Sequence, residues 1–209
     1  ADLSIAKTNY SGTYDGSKHV SSIKITNSDW TGKTIVKGTT SSYGTTVTES
    51  GVANTAYELY SSINAVPTTT TIYYKVTGDN NYKDATGSVT FLMNKKDGYL
   101  TAATSNRTFT GSAQDIATIQ THSGNYYFGF GNGTSSTDGP SSWTNNVNTK
   151  LQATNAGTYY VWAKCDESTS YESVDAKYIG TVIIRKRNVT VTAPTKTTIA
   201  LSYKGYAQT

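Results

Sequence analysis

Apolar and polar positions along this chain alternate with a period of two. Thr70, Ile72, Tyr74 and Val76 fall on one face of a segment whose other face carries Lys75. Gly87, Val89, Phe91 and Met93 repeat the pattern, and so do Tyr159, Val161, Ala163 and Cys165, with Tyr160, Trp162 and Lys164 pointing oppositely. Such alternation predicts half-buried strands. Further strands are predicted at 19–25, 33–37, 45–48, 113–121 and 126–130. Turn chemistry separates them at Gly78-Asp79-Asn80-Asn81, Gly131-Asn132-Gly133 and Asp138-Gly139-Pro140. Short strands with frequent turns predict a β-sandwich.

The pattern also repeats at long range. An aromatic-x-Gly motif occurs at Tyr14-Asp15-Gly16, Phe109-Thr110-Gly111 and Tyr203-Lys204-Gly205, at intervals of 95 and 94 residues. The strand Gly87-Ser88-Val89-Thr90-Phe91 corresponds to Gly180-Thr181-Val182-Ile183-Ile184, and each runs into a basic cluster, Lys95-Lys96 or Arg185-Lys186-Arg187. Ile72 to Val76, then Tyr82, matches Val161 to Cys165, then Tyr171, with about four extra residues expected in the loop after Tyr171. The expected organisation is one β-sandwich repeat over 1–96, a second over 97–187, and the opening strand of a third over 188–209. The expected fold class is therefore all-β, two tandem β-sandwich domains, and the resemblance of one phrase, given below, makes them two tandem immunoglobulin-like β-sandwich domains.

Composition agrees with strands and narrows the chemistry. Only 15% of the 209 residues are charged, against about 25% in ordinary soluble domains, while Thr numbers 38 and Tyr 17. A helical bundle is excluded by the shortage of helix formers. One cysteine cannot form an intramolecular disulfide. No run of about 18 apolar residues exists, so no membrane insertion is expected. The net charge of +4 is spread over the chain rather than gathered in a stripe, so no nucleic acid is expected as partner. Ala1-Asp2-Leu3 reads as a mature or trimmed start. Low Cys with abundant Thr, Ser, Asn and Tyr suits an extracellular protein, secreted or on a bacterial cell surface, and a monomer is expected.

One phrase carries a specific structural expectation. In Asn155-Ala156-Gly157-Thr158-Tyr159-Tyr160-Val161 a small turn leads to Tyr159 and a core residue follows two positions later. This is similar to the tyrosine corner of immunoglobulin-like domains, in which the ring is buried and its hydroxyl caps a backbone carbonyl. In the first repeat Thr70 stands where the tyrosine would be, so that corner must close differently. Together with the aromatic-x-Gly openings and Gly78-Asp79-Asn80-Asn81-Tyr82, the phrase resembles bacterial surface repeat modules of the MBG/YDG, mostly beta, glycine-rich adhesin type. The resemblance implies a non-enzymatic tandem module of a secreted or wall-attached adhesin-like protein. Such a module acts as a spacer or presentation stalk, with neighbouring repeats of a longer chain as partners. It implies no catalytic residues.

Little in the sequence suggests catalysis. His19 and His122 follow the aromatic-x-Gly motifs, and no metalloprotease, Cys-x-x-Cys or nucleophile-elbow spacing accompanies them. Cys165 shares a face with Val161 and reads as a buried small hydrophobe. No cofactor is expected, although Asp79-Asn80-Asn81 and Asp166-Glu167 leave calcium open as a ligand of loop oxygens. The main alternative function is a carbohydrate-binding module that stacks host or bacterial glycans on exposed aromatics. Its candidate contacts are Trp30, Trp143, Tyr160 and Trp162. An accessory domain of an extracellular hydrolase is a third reading. Lys24, Lys150 and Asn155 are conceivable members of an internal isopeptide crosslink.

Overall fold

The computed structural model describes residues 1–144 and 150–195, so Tyr203-Lys204-Gly205 lies outside the described residues. Among the described residues there are fifteen strands: β1 (Ile5–Thr8), β2 (Tyr10–Thr13), β3 (His19–Ile25), β4 (Thr31–Gly38), β5 (Thr45–Val52), β6 (Ala56–Ser62), β7 (Val66–Val76), β8 (Ala85–Asn94), β9 (Leu100–Thr104), β10 (Arg107–Thr108), β11 (Gln114–His122), β12 (Tyr126–Gly131), β13 (Lys150–Ala153), β14 (Gly157–Cys165) and β15 (Val174–Arg185). The only helical element among the described residues is a single 3-10 turn, Ser136–Asp138.

The strands form four sheets that pack as two sandwiches. In the N-terminal one, a sheet of order β1-β3-β6 faces a sheet of order β2-β8-β7-β4-β5. In the C-terminal one, β9-β11-β13 faces β10-β15-β14-β12. The two orders superpose strand for strand, except that β5 has no counterpart among the described residues. In both, the second strand pairs parallel with the last, β2 with β8 and β10 with β15, and the other pairings are antiparallel. Sequential strands alternating between two antiparallel sheets in this order make an immunoglobulin-like β-sandwich.

Each sandwich has its own core, built from the alternating faces of both sheets. The first gathers Ile23, Ile25, Leu59, Trp30, Ile35, Ile72, Tyr74, Val76, Val89, Phe91 and Met93. The second gathers Leu100, Ile116, Ile119, Leu151, Phe128, Val161, Ala163, Cys165, Val182 and Ile184. Cys165 is buried there as a small hydrophobe. Its sulfur also accepts a hydrogen bond from the Gly124 N–H at 3.1 Å.

The aromatic-x-Gly motif is a corner at which the chain leaves one sheet for the other. Gly16 and Gly111 hold φ of +85° and +89°, a left-handed conformation that L side chains resist. At the residue between aromatic and glycine, the Asp15 carboxylate accepts from Ser17 N–H at 2.8 Å and the Thr110 hydroxyl from Ser112 N–H at 3.4 Å. The aromatic residue ties the corner to the last strand, with Tyr14 N–H on Asn94 O at 2.9 Å and Phe109 N–H on Arg185 O at 2.8 Å.

The tyrosine corner closes as its sequence requires: the Tyr159 hydroxyl donates to Asn155 O at 2.7 Å, and Val161 is fully buried. In the N-terminal sandwich a different tyrosine secures a turn. The Tyr57 hydroxyl donates to Val52 O at 3.1 Å and accepts from Val52 N–H at 2.6 Å.

One expectation is corrected. The extra residues of the second repeat do not lengthen the loop after β14, because β7 and β14 are each followed by eight residues, 77–84 and 166–173. The surplus inside β15 is two residues, because the seven from Gly180 to Val174 oppose the five from Val161 to Cys165 and two register shifts absorb the difference. Bulges take up added residues without breaking the sheet.

Replacing Gly111 with Ala puts a Cβ on a left-handed residue at a cost of about 1–2 kcal/mol. The expected result is a lower urea midpoint for the C-terminal sandwich. Gly139→Ala, at a φ of −57° with open space around it, is expected to leave that midpoint unchanged.

Candidate functional site

The four aromatic residues named for glycan contact do not form one exposed face. Trp30 is completely buried in the N-terminal core, and its indole N–H donates to Thr77 O at 3.0 Å. Its ring fits there because Gly51 offers no side chain, and a Cβ on Gly51 would lie 2.4 Å from the indole. The expectation of an exposed Trp30 is therefore overturned.

Trp162 does project away from the C-terminal core, yet it is only 3% exposed. The chain after β12 folds back over this outer face. Pro140 rests against Gly129, and the Trp162 indole N–H donates to Gly133 O at 3.1 Å. Tyr178 meets the ring edge-on at 6.0 Å. A sugar cannot stack on a ring so covered, and this expectation is corrected too. The glycines at 129, 131 and 133 are the sequence signal for the close backbone approach that covers it.

Trp143 and Tyr160 are half-buried. The Lys164 ammonium lies 5.1 Å from the centre of the Trp143 ring and 5.0 Å from that of Tyr127. The Tyr127 hydroxyl in turn donates to Asp166 at 2.7 Å, which raises the tyrosine's pKa. This row uses its aromatic faces on a cation that the chain itself supplies.

A denser constellation lies where the two sandwiches meet. Lys96, just after β8, makes a parallel bridge with Tyr171 in the loop between β14 and β15. Lys96 N–H donates to Ser170 O at 3.0 Å, and Glu172 N–H donates to Lys96 O at 2.8 Å. The Tyr171 ring sits between Tyr14 of the N-terminal sandwich, 5.4 Å away, and Tyr99, 5.3 Å away, edge-on to both. Lys95, only 12% exposed along its side chain, pairs with Glu167 at 2.7 Å. Gly98 lets the connecting segment lie flat, since a Cβ there would overlap Glu172 O.

The same backbone arrangement occurs at the start of the chain. Ala1 N donates to Asn81 O at 2.7 Å, and Lys83 N–H donates to Ala1 O at 2.9 Å, so Ala1 flanks Tyr82 as Lys96 flanks Tyr171. The basic pair Lys95-Lys96 stood out in the sequence as a cluster. The role of Tyr171 was not, although tyrosines at the opening motif, the connecting segment and the loop end were its signal.

The remaining polar candidates are engaged locally. His19 stacks on Tyr10 at 4.2 Å and pairs with Asp15 at 3.0 Å, while His122 contacts Gly124 O at 2.9 Å. Asp79 accepts from the N–H groups of Asn81 and Tyr82 at 2.8 and 3.0 Å. Among the described residues, no group of three or more His, Cys, Asp or Glu could hold a metal ion. Lys150 pairs with Asp115 at 2.7 Å, and Lys24 and Asn155 are exposed, so these three are not gathered as a crosslink would need.

Four carboxylates are held below their ordinary pKa. Lys150, then Gln152, does this to Asp115, and Lys75, then Gly78 N–H, does it to Asp84. Ser17 N–H, then His19, acts on Asp15, and Ser61, then Lys18, on Glu58.

Solved structures include distant matches. Fibronectin(III)-like modules of Clostridium thermocellum CbhA align over 92% of this chain and 100% of that chain, at 9% identity and a TM-score of 0.31. A complex of Dpr11 IG1 with DIP-gamma IG+IG2 aligns over 88% of this chain and 100% of that chain, at 8% identity and a TM-score of 0.34. A chimeric titin Z1Z2-Z1Z2 tandem covers 89% of this chain and 100% of that chain, at 15% identity and a TM-score of 0.30. At such low scores the fold assignment rests on the strand order described above. No protein-family model and no curated protein matches the sequence.

A carboxylate whose folded pKa lies below its unfolded value contributes stability above the unfolded value, near 4, and loses it as pH falls through the folded one. The urea midpoint is therefore expected to hold from pH 7 to about 5 and to fall below about pH 4. Lys150→Met should return the Asp115 titration, followed by NMR, toward that of a free aspartate.

Proposed function

We propose that this chain is a pair of tandem immunoglobulin-like modules from a bacterial cell-surface or secreted adhesin-like protein, with 1–96 and 97–187 as the modules and 188–209 opening a third. Their function is non-enzymatic: they space and present other parts of a longer chain. The observation that carries this reading is the joint between the sandwiches. Two flexible modules need no more than a linker, whereas here the segment after β8 pairs backbone to backbone with the next sandwich and is wedged by Tyr171. Edge-on aromatic pairs contribute about 0.5–1.5 kcal/mol each beyond the area they bury. The partly exposed Lys95–Glu167 pair adds at most about 1 kcal/mol after solvent screening. In arrays of repeats, such nearest-neighbour terms set stiffness.

The corners and turn residues that define the joint also carry the resemblance to MBG/YDG modules, which supports a surface stalk whose partners are neighbouring repeats. Burial of Trp30 and Trp162 favours this spacer over a glycan-binding module built on tryptophans, because no two exposed tryptophans share a face.

The test is NMR relaxation of backbone amides in the two halves. A stiff joint requires both halves to tumble with one correlation time, and Tyr171→Ala is expected to separate their rotational diffusion while leaving the amide spectrum of each core intact. Two independent correlation times in the unmodified chain would overturn the spacer reading.

A further inference from the structure

The N-terminal sandwich contains a cavity of about 410 Å³ that the joint does not use. It lies between the β4–β5 hairpin of the five-stranded sheet and β6 of the three-stranded one. Lys37 points inward on β4, and its ammonium crosses the cleft to donate to Leu59 O at 2.6 Å. Leu59 is almost fully covered and contributes its carbonyl, the half-buried Tyr60, whose ring also packs on Phe91 at 4.9 Å, lines one wall, and Thr40, Ser42 and Thr45 line the rim.

Two features suit this cleft to a ligand. The rim is held in shape: Ser42 N–H donates to the Thr40 hydroxyl at 3.3 Å, and Tyr43 adopts a φ of 46°. A bulky residue rarely takes that left-handed conformation, and such outliers persist where a loop is fixed for a purpose. The second feature is charge. No carboxylate lines the cavity, and among the described residues Lys37 has no ion-pair partner. Glu58, next to Leu59 on β6, is hydrogen-bonded by Lys18 at 2.9 Å and Ser61 at 2.6 Å, and the more distant Lys37 charge also lowers its pKa without an ion-pair contact. A half-buried ammonium with donors to spare favours an anion beside it.

We propose that this cleft binds a single acidic pyranose unit, a hexuronate. Its carboxylate meets the Lys37 ammonium, its hydroxyls meet the rim hydroxyls, and its apolar C–H face lies against the half-buried Tyr60. A volume at the lower end of the range for ligand pockets matches one sugar ring better than a long chain. This site is independent of the spacer reading and of the tryptophans.

The test is an amide NMR titration of the full chain with glucuronate, galacturonate and neutral glucose. Saturable shifts confined to 37–45 and 58–60 are expected for a uronate, with a Kd on the order of 1 mM. Glucose should bind about tenfold more weakly or not at all, and added salt should weaken the uronate. Lys37→Met should abolish the uronate shifts, and Thr45→Val, which leaves the inter-sheet bond in place, should weaken binding several-fold. Absence of shifts at tens of millimolar uronate would overturn the site. So would equal response to glucose, or unchanged binding in a folded Lys37→Met or Thr45→Val protein.

Discussion

In each sandwich a backbone N–H at the aromatic-x-Gly corner, Tyr14 or Phe109, donates to a carbonyl at the end of the last strand, Asn94 or Arg185. That bond extends the parallel pairing of the second strand with the last, and the chain's route through the molecule follows from it. The first strand can lie in one sheet and the second in the other only if the polypeptide crosses the sandwich edge and turns back sharply. The left-handed glycines at 16 and 111 make that turn. With the last strand anchored beside the corner, the chain leaves the N-terminal sandwich next to Tyr14. The contact of Tyr14 with Tyr171 is a consequence of that exit.

The joint and the two cores share one physical economy. Burial of alternating apolar faces stabilises each sandwich, and the weakly charged, Thr-rich outer faces remain hydrated. Where the chain must be directed rather than merely packed, tyrosine does the work through both its ring and its hydroxyl. Tyr159 caps a carbonyl, Tyr57 brackets Val52, Tyr82 donates to Asp29 at 2.7 Å, and Tyr171 wedges the joint. For these four tyrosines the structural role is to direct the chain.

Much of the fold was legible along the chain. Alternation placed the core faces of β7, β8 and β14, and the repeated motif located both corners, because period and turn chemistry are local properties. The short strands β1, β2, β9, β10 and β13 escaped, since a two- to five-residue segment carries too few positions to show a period, and β6 escaped because Tyr60 directly after Leu59 breaks its alternation. The extra residues of the second repeat were counted as about four and assigned to a loop, whereas β15 holds two in bulges, because sequence offsets do not distinguish an insertion in a loop from bulges in a strand. Trp162 was rightly placed off the core face, but its burial depends on a segment more than twenty residues away folding over Gly129 and Gly131.

By itself, then, the sequence determined an all-β chain, its repeated aromatic-x-Gly motif, the core faces of β7, β8 and β14 and the corner tyrosine. Each of these depends on residues within a few positions of one another. Tertiary structure alone decided which aromatics are covered, that Tyr171 meets Tyr14 across 157 positions of chain, and that Lys37 faces a cleft lined by no carboxylate. Those properties arise from how sheet edges and loops approach each other in space. No local pattern encodes the distance between groups that only folding brings together.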